Sequence, residues 1–212
     1  MSRAAVFLDR DGTLNLDKGY VHRMDDWEWI PGAIDAIAAL NKAGFLVVII
    51  TNQAGIARGY YDEADMNNLH KRINGELKEH GATIDGFYHC PHHPEFGAVR
   101  ECECRKPMPG LIYKARHDLD IDLGRSWLVG DKASDIQAAL AAGVKPILVL
   151  TGYGKEERTL LGMGINCAEN IVKASTDIIA DLECKQLEIH RSELMSDFSM
   201  QDAELVKFAH RK

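Results

Sequence analysis

The chain of 212 residues has no apolar run that approaches a membrane span, and no basic stretch followed by an apolar one stands at its start. Neither a helical anchor nor a secretory leader is expected, and the expectation is a cytoplasmic protein without a membrane partner. A basic excess is missing as well. Lys and Arg number 25 against 32 Asp and Glu, a net charge of −7. That balance argues against general nucleic-acid binding but leaves room for a local basic site that takes a phosphorylated small molecule. There is no internal repeat and no low-complexity segment. Cysteine is scarce at five residues. In a cytosolic chain, thiols point to metal or free sulfhydryls before disulfides.

What remains is ordinary soluble material, 46% hydrophobic and 27% charged. The length suits one α/β domain with a small insertion better than two equal domains, and it can bury a sizeable core. Residues 4–9, 45–50, 85–90, 126–129 and 146–150 read as strands. Residues 32–43, 62–80, 109–118 and 133–142 read as helices, with Asp62 as an N-cap and Gly44, Gly81 and Gly143 as stops. This alternation predicts a mostly parallel sheet with helices on both faces. Residues 91–108, rich in Pro, His and Cys, read as an irregular stretch that needs its own source of order.

Asp9 and Asp11 lie at the end of the apolar run 4–8 and are followed by Gly12-Thr13. In an open α/β sheet, ligands bind at the carboxyl ends of strands. Two carboxylates delivered there repel, and a hard cation is a natural way to hold them together. Taken alone, the pattern is equally an Asp-rich turn that caps the next helix. Further polar groups fall at element boundaries. Thr51-Asn52 follows one strand, Gly130-Asp131 follows another with Asp135 four residues on, and Lys106 precedes a helix.

The irregular stretch carries a second signal, Cys90-Pro-His92-His93-Pro followed by Cys102-Glu-Cys104. Three thiolates and one imidazole suit tetrahedral Zn²⁺. A closed four-ligand set leaves no open position, so the site reads as structural. By spacing alone His89 and His93 compete with His92 for the fourth position. The loop ends directly beside Arg105 and Lys106, so zinc is expected to position those two cations. Cys167 and Cys184 are isolated and read as ordinary thiols.

Taken in order, D-x-D-G-T at 9–13, Thr51, Lys106 and G-D-x-x-x-D at 130–135 resemble the four motifs of the haloacid dehalogenase (HAD) superfamily of phosphohydrolases, without departure. The resemblance implies a HAD-like Rossmannoid three-layer α/β fold with no large cap. It also implies Asp9 as the nucleophile that forms an aspartyl phosphate and Asp11 as the general acid and then base. Mg²⁺ would be held by Asp9, the Asp11 backbone carbonyl and Asp131. Thr51 and Lys106 would bind the phosphoryl oxygens. Asp135 is either a buttress of the metal shell or an exposed first-turn acid.

The zinc loop narrows the resemblance to a capless branch that contains heptose-bisphosphate phosphatases and histidinol-phosphate phosphatases. G-Y-V-H at 19–22, T-N-Q-A-G-I-A-R-G at 51–59, C-P-H-H-P at 90–94 and C-x-C-R-K-P at 102–107 are similar to the heptose family. The one departure is Ala54, where that family usually has Ser. The resemblance places the zinc ligands at Cys90, His92, Cys102 and Cys104. It places a sugar pocket at Asp17, Lys18, Gly19 and Tyr20, and a phosphate and sugar cradle at Thr51, Asn52, Gln53 and Ala54. Arg105 would reach a second phosphate, and Lys132 would contact substrate. Arg58 is a further candidate cation, with a surface salt bridge as its alternative. The implied partner is a small phosphorylated sugar, and a monomer is expected. Rival readings are a histidinol-phosphate phosphatase, a phosphotransferase and a binding protein that keeps the fold without turnover. The phosphatase domain is expected over 1–182. Residues 183–212, with scattered apolar positions, read as an extension of amphipathic helix or mobile tail.

Overall fold

The computed structural model describes residues 2–162, 164–188 and 191. The first unit, Met1–Thr176, is built on six parallel strands in the order β3-β2-β1-β4-β5-β6. The strands are β1 (Ala5–Leu8), β2 (Leu46–Asn52), β3 (Gly86–Cys90), β4 (Trp127–Gly130), β5 (Lys145–Val149) and β6 (Asn166–Ala168). The helices of this unit include α1 (Ala33–Lys42), α2 (Ala54–Ala57), α3 (Glu63–Glu79), α4 (Gly110–Leu119), α5 (Ala133–Ala142) and α6 (Gly154–Glu157). Residues 171–176 are also helical. In the second unit, residues 177–188 are helical. The apolar positions Ile189, Leu194, Phe198, Leu205 and Phe208 of the expected extension lie outside the described residues.

The central strands are buried on both faces, which is why they read as continuous apolar runs with no alternation. Alternate residues nevertheless point to opposite sides. Phe7, Val48, Ile50 and Leu128 share one apolar cluster with Leu111, Ile112 and Ala115 of α4 and Ala138 and Ala139 of α5. Helix α3 buries Met66, Leu69, Ile73 and Leu77 at helical spacing. Its start is fixed by a reciprocal cap, in which Asp65 N–H donates to Asp62 Oδ1 at 2.9 Å and Asp62 N–H to Asp65 Oδ2 at 3.2 Å. Between β1 and β2 the chain makes only α1, a short 3₁₀ turn at Met24–Asp26 and loops, so no cap domain is inserted there.

The strand order fixes the position of the site. The chain leaves β1 toward β2 on one side and returns to β4 on the other. The crevice at their carboxyl ends is the topological switch point, where open α/β sheets bind ligands. Leu8 pairs in register with Ile49 and Val129, so Asp9, Thr51 and Asp131 emerge from three adjacent strands within one residue of the same level.

Candidate active site

Asp9, Asp131 and Asp135 converge, with carboxylate oxygens within 4.8 Å of one another. All three are almost fully buried. Lys106, itself 5% exposed, reaches into the group. Its Nζ lies 2.7 Å from Asp9 Oδ1 and 2.6 Å from Asp135 Oδ1, and donates to the Ile50 carbonyl at 2.8 Å. Burial opposes its charge, but Asp135 and Asp9 more than offset this and hold the ammonium well above the usual lysine range. The exposed reading of Asp135 is removed. Its second oxygen accepts from the Lys132 N–H at 3.0 Å, so it ties the lysine to the start of α5.

Three buried carboxylates around one buried ammonium leave an excess of two negative charges, which one divalent cation would neutralise. Asp131 shows the want of it. Its Oδ2 accepts from Tyr153 N–H at 2.9 Å, while Oδ1 is buried without a partner. Burial first, then Asp9, pushes this carboxyl up to about 8. The backbone is cut to fit around it. Gly12 has φ +88°, and a Cβ there would come within 2.2 Å of Asp131 Oδ2. A Cβ on Gly152 would come within 2.1 Å of the same atom. The residues therefore fit a hard divalent ion.

Asp11 is held differently. Burial raises its carboxyl, but the Arg10 guanidinium together with bonds from Asn15 and Gln53 brings it below the usual range. Arg10 is fully buried, and its fork reaches Asp11 at 2.8–3.0 Å and the Val21 carbonyl at 2.6 Å. Gln53 Nε2 donates both to Asp11 Oδ2 at 3.1 Å and to Thr51 Oγ1 at 2.8 Å, and its carbonyl accepts from Tyr61 OH at 2.6 Å. With that lone pair of Thr51 occupied, its own O–H is free to donate to a phosphoryl oxygen. Arg10, Asn15 and Tyr61 were missed from the sequence. The position of Arg10 inside D-x-D was the available signal. Nothing local flags Tyr61.

A cleft of about 270 Å³ opens above Asp11, bordered by Asp17, Gly19, Tyr20, Asn52, Gln53, Ala54, Tyr61, Lys132 and Tyr153. Lys132 Nζ lies 3.5 Å from Asp17 Oδ2 and 4.7 Å from the centre of the Tyr153 ring. Two expected substrate residues are otherwise engaged. Lys18 pairs with Glu28 at 2.9 Å and does not border the cleft. The Asn52 amide is bonded at both ends to the Lys106 backbone, at 3.1 and 3.0 Å, so it clasps the buried lysine. A wider depression of about 940 Å³ lies at the amino ends of β1, β4 and β5 and holds none of the motif residues.

At the end of β3, Cys90, His92, Cys102 and Cys104 gather. Cys90 Sγ lies 3.7 Å from Cys102 Sγ and 3.2 Å from Cys104 Sγ, and His92 Nδ1 lies 3.8 and 3.3 Å from Cys90 and Cys104. Sulfurs at the corners of a tetrahedron around Zn²⁺, each about 2.3 Å from the metal, stand about 3.8 Å apart. The four atoms fit that ion with little movement. The rival histidines are directed elsewhere. His93 Nε2 meets Arg58, and His89 faces the His70 ring.

Comparison with known proteins agrees with this geometry. A HAD-hydrolase-like family model matches residues 103–178. The D-glycero-beta-D-manno-heptose-1,7-bisphosphate 7-phosphatase of Yersinia pestis is 49% identical over 153 residues, which is 70% of this chain and 81% of that protein. Its counterpart in Salmonella typhi is 42% identical over 187 residues, 86% of this chain and 96% of that protein. The crystal structure of D,D-heptose 1,7-bisphosphate phosphatase from B. bronchiseptica, complexed with magnesium and phosphate, superposes with a TM-score of 0.77 at 36% identity. That match covers 84% of this chain and 99% of the other. Fold, motif order and this level of identity together make the chain a member of the D-glycero-D-manno-heptose-1,7-bisphosphate 7-phosphatase family of HAD-like hydrolases.

Proposed function

We propose that this protein removes the 7-phosphate of D-glycero-D-manno-heptose 1,7-bisphosphate to give heptose 1-phosphate, in the cytoplasm, for the nucleotide-activated heptose of the lipopolysaccharide core. The observation that carries this reading is the buried Asp9–Asp131–Asp135–Lys106 group in a chain 49% identical to a relative of that name.

Asp9, Asp131 and the Asp11 carbonyl would hold Mg²⁺, which when bound withdraws charge from the phosphoryl oxygens. An Asp9 oxygen attacks phosphorus, and the C7 oxygen departs with a proton from Asp11, which leaves the phosphoryl group on Asp9. Asp11, now a carboxylate, takes a proton from water as that water attacks phosphorus. The bond to Asp9 breaks, inorganic phosphate leaves, and both aspartates are restored. The Arg10 fork favours the carboxylate of Asp11, which is the form for the second step. A phosphate dianion arriving beside it favours the acid needed for the first, because like charges disfavour ionisation. Lys106 and the Thr51 hydroxyl meet the phosphoryl oxygens. Zn²⁺ on Cys90, His92, Cys102 and Cys104 would hold the loop that ends in Arg105 and Lys106. Asp17, Gly19, Tyr20, Gln53, Ala54 and Lys132 border the room left for the sugar.

The test is phosphate release with Mg²⁺ from heptose 1,7-bisphosphate, fructose 1,6-bisphosphate and histidinol phosphate. A clear kcat/KM preference for the heptose is expected. Preference for histidinol phosphate leaves the chemistry standing and overturns the substrate. Transfer of the phosphoryl group to an added alcohol in preference to water would make the protein a phosphotransferase.

A further inference from the structure

Two guanidinium groups stand at one dipeptide of the zinc loop without a carboxylate. Arg105 Nη1 donates to the His92 carbonyl at 3.1 Å, and Arg58 Nη2 lies 3.3 Å from His93 Nε2. Both side chains are half-buried, and neither forms an ion pair among the described residues. In a chain with 32 acidic residues and a net charge of −7, two neighbouring cations without a counter-charge are a costly arrangement.

The surroundings of Arg58 hold it in place. Its guanidinium stacks 4.0 Å over the Phe96 ring and lies 6.0 Å from Tyr20. Stacking covers the flat face of a guanidinium and leaves its N–H edge free. That edge is underused, since Arg58 Nε is buried with no partner. The backbone below is rigid. Arg58 closes the one-turn helix α2, with its N–H on the Ala54 carbonyl at 3.2 Å. Helix α2 in turn sits so close to Tyr61 that a Cβ on Gly55 would come within 2.2 Å of the ring. Ala54, one turn earlier, and Tyr20, 6.0 Å from the guanidinium, both border the cleft, so Arg58 stands just behind its wall, while the reacting phosphoryl would belong deeper, beside Asp9 and Lys106.

We propose that Arg58 is a specificity-determining residue that grips the second, non-reacting phosphate of the sugar bisphosphate together with Arg105. This rests on the bisphosphate reading above. A phosphate dianion supplies the missing counter-charge, and a planar fork suits its oxygens. The surface salt bridge that the sequence also allowed for Arg58 is absent among the described residues.

The experiment compares heptose 1,7-bisphosphate with heptose 7-phosphate, which keeps the reacting group and lacks the second phosphate. Arg58→Ala lowers kcat/KM for the bisphosphate roughly ten- to a hundredfold, mostly through KM, and changes the monophosphate value by less than about twofold. The heptose 1-phosphate product, as a competitive inhibitor, weakens by a similar factor. Equal losses on both substrates, or an unchanged inhibition constant, overturn the proposal and leave Arg58 as a prop for the zinc loop. Arg58→Lys, which retains charge and a stem on Phe96, gives the same split at smaller size even where the alanine variant loses zinc, and equal losses in it also overturn the proposal. A wild type that prefers the monophosphate removes the bisphosphate reading itself. A wild type that prefers the bisphosphate, with parallel losses in the variants, removes only the role of Arg58.

Discussion

Asp131 makes the divalent-ion site a competition between a metal and a proton. In the metal-free protein its carboxyl stands at about 8, raised from 3.8 by burial and by Asp9. A folded-state value above the unfolded one stabilises the protein fully below the unfolded value, and that contribution is lost as pH rises through the folded value. Metal-free protein therefore loses thermal stability between about pH 4 and 8 from this group. Mg²⁺ acts in the opposite sense, since it needs the carboxylate and must expel the proton below about pH 8. One proton per ion weakens apparent Mg²⁺ affinity by up to about tenfold per pH unit, or roughly fiftyfold from pH 8 to pH 6, about 2 kcal/mol, because half the carboxyl is already ionised at pH 8. Calorimetric titration of Mg²⁺ into metal-free protein at pH 6, 7 and 8 reads this directly. Repeating it in buffers of different ionisation enthalpy counts the proton released. The Mg²⁺-induced rise in Tm is expected to grow over the same interval. An affinity flat from pH 6 to 8 with no proton released would refute the buried Asp131, with its unpartnered Oδ1, as the seat of the metal.

Asp9→Asn is expected to abolish turnover and leave the melting temperature within a few degrees of wild type, and residual turnover at the wild-type rate would remove Asp9 as nucleophile. Cys102→Ser, or stripping the metal with a chelator, is expected to lower Tm and to raise hydrogen exchange across residues 91–108, and an unchanged melt in a protein that retains no zinc would count against the clamp. Tyr61→Phe leaves the Gln53 carbonyl without its 2.6 Å donor, so the amide that orients both Asp11 and Thr51 is released. A loss of about 1–2 kcal/mol in stability is expected with a kcat that falls more than KM changes, and wild-type kinetics in a stable variant would show that the relay does not orient the acid.

Where the sequence was legible, one element carried the whole signal. The strand before Asp9 is continuously apolar because both faces of the sheet are covered, and the turn after it needs glycine, since Gly12 sits at φ +88° with Asp131 against it. The zinc ligands sit within one loop, so their spacing alone proposed the ion. Strand β6, three residues long with an exposed end, was not foreseen because so short a run has no period to read.

The support behind the motifs was illegible for a different reason, and Lys106 shows it. From the sequence it is a lysine before a helix. Its position is set by Asn52, which is 54 residues away in sequence and grips its backbone, and by Asp135, 29 residues further on, which shares its ammonium with Asp9. The resemblance places Asn52 with Thr51 in the substrate cradle, and Asn52 does border the cleft. Strand alternation turns its amide away from the Thr51 side, and there it grips the backbone of the returning loop at Lys106. Arg10 repeats the case, an apparent spacer between two aspartates that is in fact the fully buried cation holding the second. Motif positions recur at the ends of strands or just before helices and can be read in one dimension. The residues that hold them there are chosen by which strands become neighbours, and that information enters only with the β3-β2-β1-β4 order of the sheet.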